Sequence, residues 1–473
     1  MPPRLALFLG LGFVSYTLFT ERRRGVEAAS GVFWPTLWYM VVSSRMVGIW
    51  LSTWGVPLPG GGGDATDGSI IDASFFAVLT IVGLSILARR GFRWGVVLQA
   101  NPWLTALLIF MAASVIWSAY PYVSFKRYIK IVGSVSIAMV VLSNEHPMEA
   151  TFTVIRRVLY VHLPMSIVCI KYFRTIGVSY DWSGSASSWQ GISTSKNDLG
   201  QVAMLGLIYF FWEIKRQWKV KKWKNLHVLY LLMALHLLKG SDSSISLTAV
   251  STSVFVMLMF FRLQQLRDRI DKARRFVGWV FAATAGFVLL IIVHSIVFFS
   301  EDSLLGKMIT TFGRNITLTD RTNIWNDVYG AAKGHFLLGV GYGGFWIGRM
   351  MNIPWNARMT WVLGQAHNGY IDTFLQVGII GVGLLAMTLV TTIPRLTRGF
   401  YDNFDFTCFR ISVFLAIMYI NVTESTFLRG DHHLWFITML ILWQVPPDAV
   451  PSFAPSLRRT AFIPEADFVG RHL

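Results

Sequence analysis

Long apolar runs separated by short polar stretches set the pattern of this chain. A helix needs about 20 apolar residues to cross the hydrocarbon of a bilayer. By that ruler the runs at 5–20, 31–52, 69–88, 103–118, 128–143, 151–171, 198–214, 226–239, 246–262, 276–298, 370–392, 405–421 and 432–446 predict membrane helices. Some are short, so the expected number of transmembrane helices is about 12–13. The runs are too long and too uniformly apolar for the alternating strands of a membrane β-barrel. The expected fold class is an all-α polytopic membrane protein. ERRRG follows the first run at 21–25. A cleaved leader would need small residues there, so the run is read as a retained helix.

Composition agrees. The chain is 54% hydrophobic and 14% charged, with mean hydropathy +0.51. A soluble protein of this size would need more charge to cover its surface.

Charge then gives an orientation. With the runs threaded alternately, the basic clusters ERRRG (21–25), RRGFR (89–93), KRQWKVKKWK (215–224), RLQQLRDRIDKARR (262–275) and RLTR (395–398) fall on one side, joined by Arg458 and Arg459. The positive-inside rule makes that side cytoplasmic. The formal charge of +17 is then mainly a topology signal, and no nucleic-acid partner is expected. Cys169 and Cys408 have no spacing partner and suggest neither a disulfide nor a metal site.

The organisation expected is membrane helices over 1–298, one long extracytoplasmic loop over 299–369, further membrane helices over 370–446, and a cytoplasmic tail over 447–473. A loop as long as 299–369 is more than a passive connector. It ends in GQAHNGYIDTFLQVGIIGVGLLAM (364–387), where His367, Asn368, Tyr370 and Asp372 crowd the start of an apolar helix. Lys126, Arg127, Lys196, Arg314, Arg321 and Arg429 share this outer face, against the charge bias. An arginine fork suits phosphate. The plainer alternative is that they neutralise lipid head groups or pair with Asp320, Asp327 and Glu424.

At these residues the chain resembles a family. GRNITLTDRTNIWNDVYGAAKGHFLLGVGYGGFW (313–346) and AHNGYIDTFLQVGIIG (366–381) are similar to the signature region of the O-antigen ligase/polymerase superfamily, and more narrowly to bacterial exopolysaccharide-repeat polymerases. WSAYPYVSFKR (117–127), STSKNDLGQ (193–201) and NVTESTFLRGDHHLWF (421–436) support the resemblance, which runs from about residue 115 onward. It implies a GT-C-like glycosyltransferase in the bacterial cytoplasmic (inner) membrane, with its active site on the extracytoplasmic face. The implied donor is an oligosaccharide carried on polyprenyl pyrophosphate, and the acceptor is another glycan. Besides the lipid bilayer, polysaccharide export or chain-length proteins are the partners to expect.

Carried over position by position, the T-x-R arginine falls on Arg321, the H-N-G-Y histidine on His367, and the basic position of the K-N-x-L-G stretch on Lys196. The resemblance thus implies catalytic roles for Arg321 and His367; Asp372 in the first turn after the histidine and Glu424 in the last outer loop are the further catalytic candidates. Lys196, Arg127, Arg314, Asn368 and Tyr370 are the expected substrate-binding residues. Two departures stand out. Asp320 replaces the usual glycine before the T-x-R arginine, and GSDSSIS (240–246) puts serine where a base is common, with Lys239 just upstream.

The chemistry accounts for these residue types. As the sugar leaves, negative charge builds on the bridging pyrophosphate oxygen, and either a metal or fixed cations must neutralise it. Neither DATD (64–67), in a glycine-rich turn, nor DNFD (402–405), on the cytoplasmic side, is a convincing metal-binding pair, so a metal-independent reaction without cofactor is expected. A histidine, titrating near about 6.5, can take the acceptor proton.

Alternatives stay open for several residues. His367 is a general base or an interfacial cap; Asp372 orients it or is a first-turn acid favoured by the helix dipole. Glu424 could simply pair with Arg429. The glycines flanking Tyr342 make a turn that lets sugar or backbone approach, or an ordinary loop. Asp431, His432 and His433 are not read as a metal cluster, because adjacent histidines should diverge and no third ligand is near. Arg45, inside an apolar run, needs a partner or a cavity. A transporter would also carry outward cations, but no repeat of the apolar pattern is found, and the polar residues gather at one membrane face instead of the midplane. Between polymerase and O-antigen ligase, whose acceptor would be lipid A–core or another molecule, the motif details favour polymerase.

Overall fold

The computed structural model describes residues 1–22, 31–56, 69–180, 187–216, 224–266, 269–297, 321–347 and 364–451. Each apolar run of the sequence coincides with a helix: α1 (Pro3–Arg22), α2 (Phe33–Ser43), α3 (Val47–Thr53), α4 (Ile70–Arg89), α5 (Trp94–Ala100), α6 (Pro102–Ser114), α7 (Pro121–Leu142), α8 (Pro147–Tyr172), α9 (Arg174–Gly177), α10 (Lys196–Arg216), α11 (Lys224–Ser241), α12 (Ser244–Leu263) and α13 (Arg269–Val297). After the long loop come α14 (Arg321–Ala331), α15 (Gly369–Asp402), α16 (Phe404–Ile420) and α17 (His433–Leu442). The one sheet among the described residues is a hairpin, Val178–Tyr180 with Ser187–Trp189, between α9 and α10. The protein is an all-α polytopic membrane protein.

The expected 12–13 spans need qualification. Among the described residues, α1, α4, α8, α12 and α15 are long, apolar and nearly uncharged enough to cross by themselves, and α5 with α6 makes a sixth span bent by 107°. The other runs also form helices, but α17 has only 10 residues and α7 carries Lys126, Arg127 and Lys130. The run at 31–52 is broken. α2 stops at Ser43 and α3 begins at Val47, and Arg45 in the gap donates to the Ile176 carbonyl at 2.5 Å and the Ser193 carbonyl at 3.3 Å. A guanidinium has five donors and favours such a carbonyl-lined gap over a continuous apolar helix.

Helix α15 is broken as well, at Gly378 (φ +64°, ψ −170°). A break frees backbone groups that lipid cannot satisfy, so protein must. Residues 336–341 do this: Val340 N–H donates to the Leu375 carbonyl at 3.1 Å and Gly341 N–H to the Gln376 carbonyl at 3.0 Å, while Ile379 N–H reaches the Phe336 carbonyl at 2.9 Å. The approach is tight. A β-carbon on Gly339 (φ +67°) would lie 2.5 Å from the Gln376 backbone. Gly339 of G-x-G-Y-G therefore serves a backbone-to-backbone approach, while Gly341 and Gly343 make room for Ser118 and the Arg127 side chain.

Gly339→Ala is expected to lower stability by at least about 1–2 kcal/mol, the cost of a left-handed non-glycine residue before any clash. Gly383→Ala, where a β-carbon meets nothing within 4 Å, is the matched control. Thermal unfolding in detergent reads both, and equal stability of the two variants would contradict the docking of this loop.

Candidate functional site

The H-N-G-Y motif forms the start of α15. Asn368 is its cap, accepting from the N–H groups of Tyr370 and Ile371, both at 3.0 Å. Its amide donates to the Val422 carbonyl at 2.9 Å, and its own N–H donates to Ser425 Oγ at 3.1 Å. Gly369 N–H reaches the Asn421 carbonyl at 2.9 Å, and Asn421 Oδ1 accepts from the N–H groups of Thr426 and Phe427. The loop at 421–432 is thereby folded around the start of α15. Tyr370 O–H donates to the Met418 carbonyl at 3.2 Å, tying the same helix to α16.

Asp372 faces backwards. Its carboxylate accepts from Trp346 Nε1 at 2.8 Å and from Ala366 N–H at 3.2 Å. The Ala366 carbonyl in turn accepts from Trp325 Nε1 of α14 at 2.9 Å. The residue before His367 is thus held on both its polar groups, and the residue after it caps a helix. His367 between them takes φ +50°, a left-handed backbone that costs of order 1–3 kcal/mol and persists only when its surroundings over-determine it. Of the two expected roles, Asp372 positions the backbone leading into His367; no bond to the imidazole is among its described contacts.

Glu424 meets the imidazole. His367 Nδ1 lies 3.4 Å from Glu424 Oε2, with the two side chains 22% and 5% exposed. Asn197 donates to the other carboxylate oxygen, Oε1, at 2.8 Å. A carboxylate on Nδ1 places the ring proton there and leaves Nε2 as the basic nitrogen. The plainer alternative for Glu424, a pair with Arg429, is not among the described contacts: Arg429 donates to Gln365 Oε1 at 3.1 Å and the Ser425 carbonyl at 3.2 Å. Arg429 also acts on Asp431. Burial alone would raise that carboxyl, but Lys130 and Arg429 outweigh it and hold it below the usual carboxylate range.

The basic residues come from separate elements. Lys196 is the first residue of α10, next to Asn197, and makes no hydrogen bond or ion pair among the described residues. A helix start favours anions. Arg127 of α7 donates to the Gly343 carbonyl at 2.6 Å, and Tyr342 beside it donates to the Leu428 carbonyl at 2.7 Å. Arg321 is the first residue of α14, one turn ahead of Trp325; its side chain, like all of Arg314, lies outside the described residues.

One expectation about metal is corrected. Asp198, His432 and His433 bring their ligand atoms within 4.8 Å of one another, and the two imidazoles stack at 4.6 Å and 21°. A third group is near after all, and the rings do not diverge. The hydrogen bonding fits a pair better than an ion, however. His432 Nδ1 accepts from Leu434 N–H at 3.2 Å, so the proton sits on Nε2, 3.5 Å from Asp198 Oδ1. An imidazole that binds metal through Nε2 carries no proton there.

The site therefore joins His367, Asn368, Tyr370, Asp372 and Glu424 with the start of α10. Sequence reading missed Asn197, Trp346 and Ser425. Each sits in a quoted motif, Asn197 in STSKNDLGQ, Trp346 at the end of GVGYGGFW and Ser425 in NVTESTFLRG, but their partners are set by the fold.

Residues 228–386 match the family model described as O-Antigen ligase. That stretch contains Arg321, the glycine loop, His367 and Asp372, and excludes Arg127, Lys196 and Glu424. The chain is also similar to Exopolysaccharide production protein ExoQ of Rhizobium meliloti (strain 1021), 26% identical over 294 residues. The alignment covers 61% of this chain and 63% of that protein's length. Both matches support the resemblance to the O-antigen ligase/polymerase superfamily and give it an exopolysaccharide link.

Proposed function

We propose that this protein assembles surface polysaccharide, by transferring an oligosaccharide from polyprenyl pyrophosphate to the growing glycan at the outer face of the cytoplasmic membrane. The observation that carries the reading is the His367–Glu424 pair, held in a constrained backbone and tied through Asn197 to the start of α10, where Lys196 stands. In the reaction the acceptor hydroxyl attacks C1 of the donor sugar. The C1–oxygen bond to pyrophosphate breaks, and the acceptor proton passes to His367 Nε2. Glu424 stabilises the imidazolium that results. Lys196, Arg321, Arg314 and Arg127 supply positive charge to the departing pyrophosphate. Asn368, Tyr370 and Asp372 fix where His367 stands. The description of the matched family favours a second reading, a ligase delivering the glycan to lipid A–core or another acceptor.

Purified protein given a lipid-linked repeat distinguishes the two. A ladder of product lengths supports polymerisation; a single addition, seen only with a separate acceptor, supports ligation. Labelling of a cysteine placed at position 365 by a membrane-impermeant thiol reagent tests the side of the membrane.

His367→Ala is expected to lower turnover by about 10²-fold or more while donor binding persists, the scale of general base catalysis. A well-folded alanine variant that still elongates at the parent rate would remove His367 from this role. Arg321→Lys is expected to leave most of the Arg321→Ala defect in place, because lysine keeps the charge and lacks the fork. Comparable rates for parent and lysine variant would mean that charge alone suffices.

Asp372 behaves differently. Asp372→Ala leaves the Trp346 indole N–H and the Ala366 N–H without their acceptor, so a stability loss of about 2–4 kcal/mol is expected in thermal unfolding. A variant as stable as the parent but chemically dead would instead place Asp372 at the reacting atoms.

A further inference from the structure

Next to the site, the Asp198–His432 pair is not used by the proposed reaction; its side chains are 21% and 9% exposed. Asp198 lies in the first turn of α10, two residues after Lys196 and one after Asn197. Its Oδ2 accepts from Thr194 Oγ1 and Ser195 Oγ, both at 2.9 Å, and its N–H donates back to Ser195 Oγ at 3.1 Å. Its Oδ1 faces His432 Nε2 at 3.5 Å. His432 caps α17 through Nδ1 and closes the same outer loop that carries Glu424. The start of α10 therefore meets loop 421–432 at two points, Asp198–His432 and Asn197–Glu424. One of those points is the carboxylate that holds His367.

We propose that Asp198 and His432 are positioning residues: a latch that fixes the first turn of α10 against the last outer loop, so that Asn197 holds Glu424 on His367. Neither touches substrate. This inference rests on the reaction proposed above for its effect on rate, but the latch itself is a contact that can be read without activity. Its action follows from geometry. Glu424 sits 3.4 Å from Nδ1, already a long contact, and a shift of about 1 Å in a supporting group can cost up to about 10²-fold in rate.

Two substitutions separate the latch from the cap. In His432→Asn, an amide oxygen can still cap Leu434 N–H, but the side chain falls short of Asp198. In His432→Gln, an amide N–H extends about as far as Nε2, while the cap acceptor is displaced. The full-length protein in detergent or nanodiscs is compared by hydrogen exchange over 193–200 and 421–427 and by transfer from the lipid-linked repeat. Expected for the asparagine variant are faster exchange in both segments and a kcat lower by at least about tenfold, with the KM for donor nearly unchanged. The glutamine variant should recover both readouts. Asp198→Asn, which keeps an oxygen for Thr194 and Ser195, should repeat the asparagine result and decides the matter if either His432 variant fails to fold.

An asparagine variant with parent-like exchange and rate, beside an impaired glutamine variant, would leave His432 only a cap and overturn the latch. One equivalent of a divalent metal in the purified parent, lost in His433→Phe, would overturn it in favour of an ion site. If the parent transfers no glycan, the proposed reaction fails, and the exchange data alone decide whether the latch exists.

Discussion

An interrupted helix in an apolar surrounding must have its freed backbone groups satisfied by protein, and the surroundings of α15 are arranged around that constraint. Helix α15 departs from helical geometry at Gly378, and the Phe336–Gly341 strip supplies the missing partners. Because that strip is docked, Tyr342 and Gly343 are fixed in turn. Tyr342 N–H donates to Ser114 Oγ, Gly343 N–H donates to Gln376 Oε1, and the Gly343 carbonyl holds Arg127. The break also leaves 369–377 as a short half-helix whose start is capped from the opposite side by loop 421–432. The histidine lies at that start.

The same economy explains the backbone at His367. A left-handed histidine would relax in an unconstrained loop. Here Ala366 is gripped by Asp372 and Trp325, and Asn368 by the loop at 422–425. Trp346, Trp325, Ala366 and Leu375 belong to one buried apolar cluster, so the grip is backed by packing as well as by hydrogen bonds. Buried indole N–H groups need acceptors, and both of these tryptophans find theirs at the strained residue's doorstep. A backbone held in this way sets the ring's direction without any bond to the ring.

Much of this was legible in the sequence, and the limits have physical causes. Apolar runs mark helices because bilayer-facing and core-facing residues are both apolar, and every run is helical. That same uniformity hides breaks: Arg45 and Gly378 interrupt helices where hydropathy hardly changes. The motifs around Tyr342 and His367 pack against the same helix, α15. Individual roles depended on partners far along the chain. Asn197 and Glu424 are 227 residues apart, and Asp198 and His432 come from the same two segments. Spacing rules see only neighbours, so the third group near His432 and His433 went unnoticed. Arg314 and most of the long loop lie outside the described residues, and the expectations placed there stand as they were.

Three carboxylates lie close to the loop that carries the histidine, and their partners sort them. Asp372 accepts from two N–H groups belonging to the scaffold, so moving its charge would disturb the path of the chain. Asp431 is paired with Lys130 at 3.3 Å, and the cations around it hold it ionised. Glu424 alone of the three reaches an imidazole, and its second oxygen is held by a neutral amide. That amide fixes how the carboxylate is turned toward the ring. In the proposed reaction the carboxylate charge matters at the moment the ring takes the acceptor proton, when the imidazolium forms next to Oε2. A carboxylate placed to stabilise the product of proton transfer favours transfer. Glu424 comes from the loop at 421–432, whereas Lys196 begins α10, Arg321 begins α14 and Arg127 lies on α7.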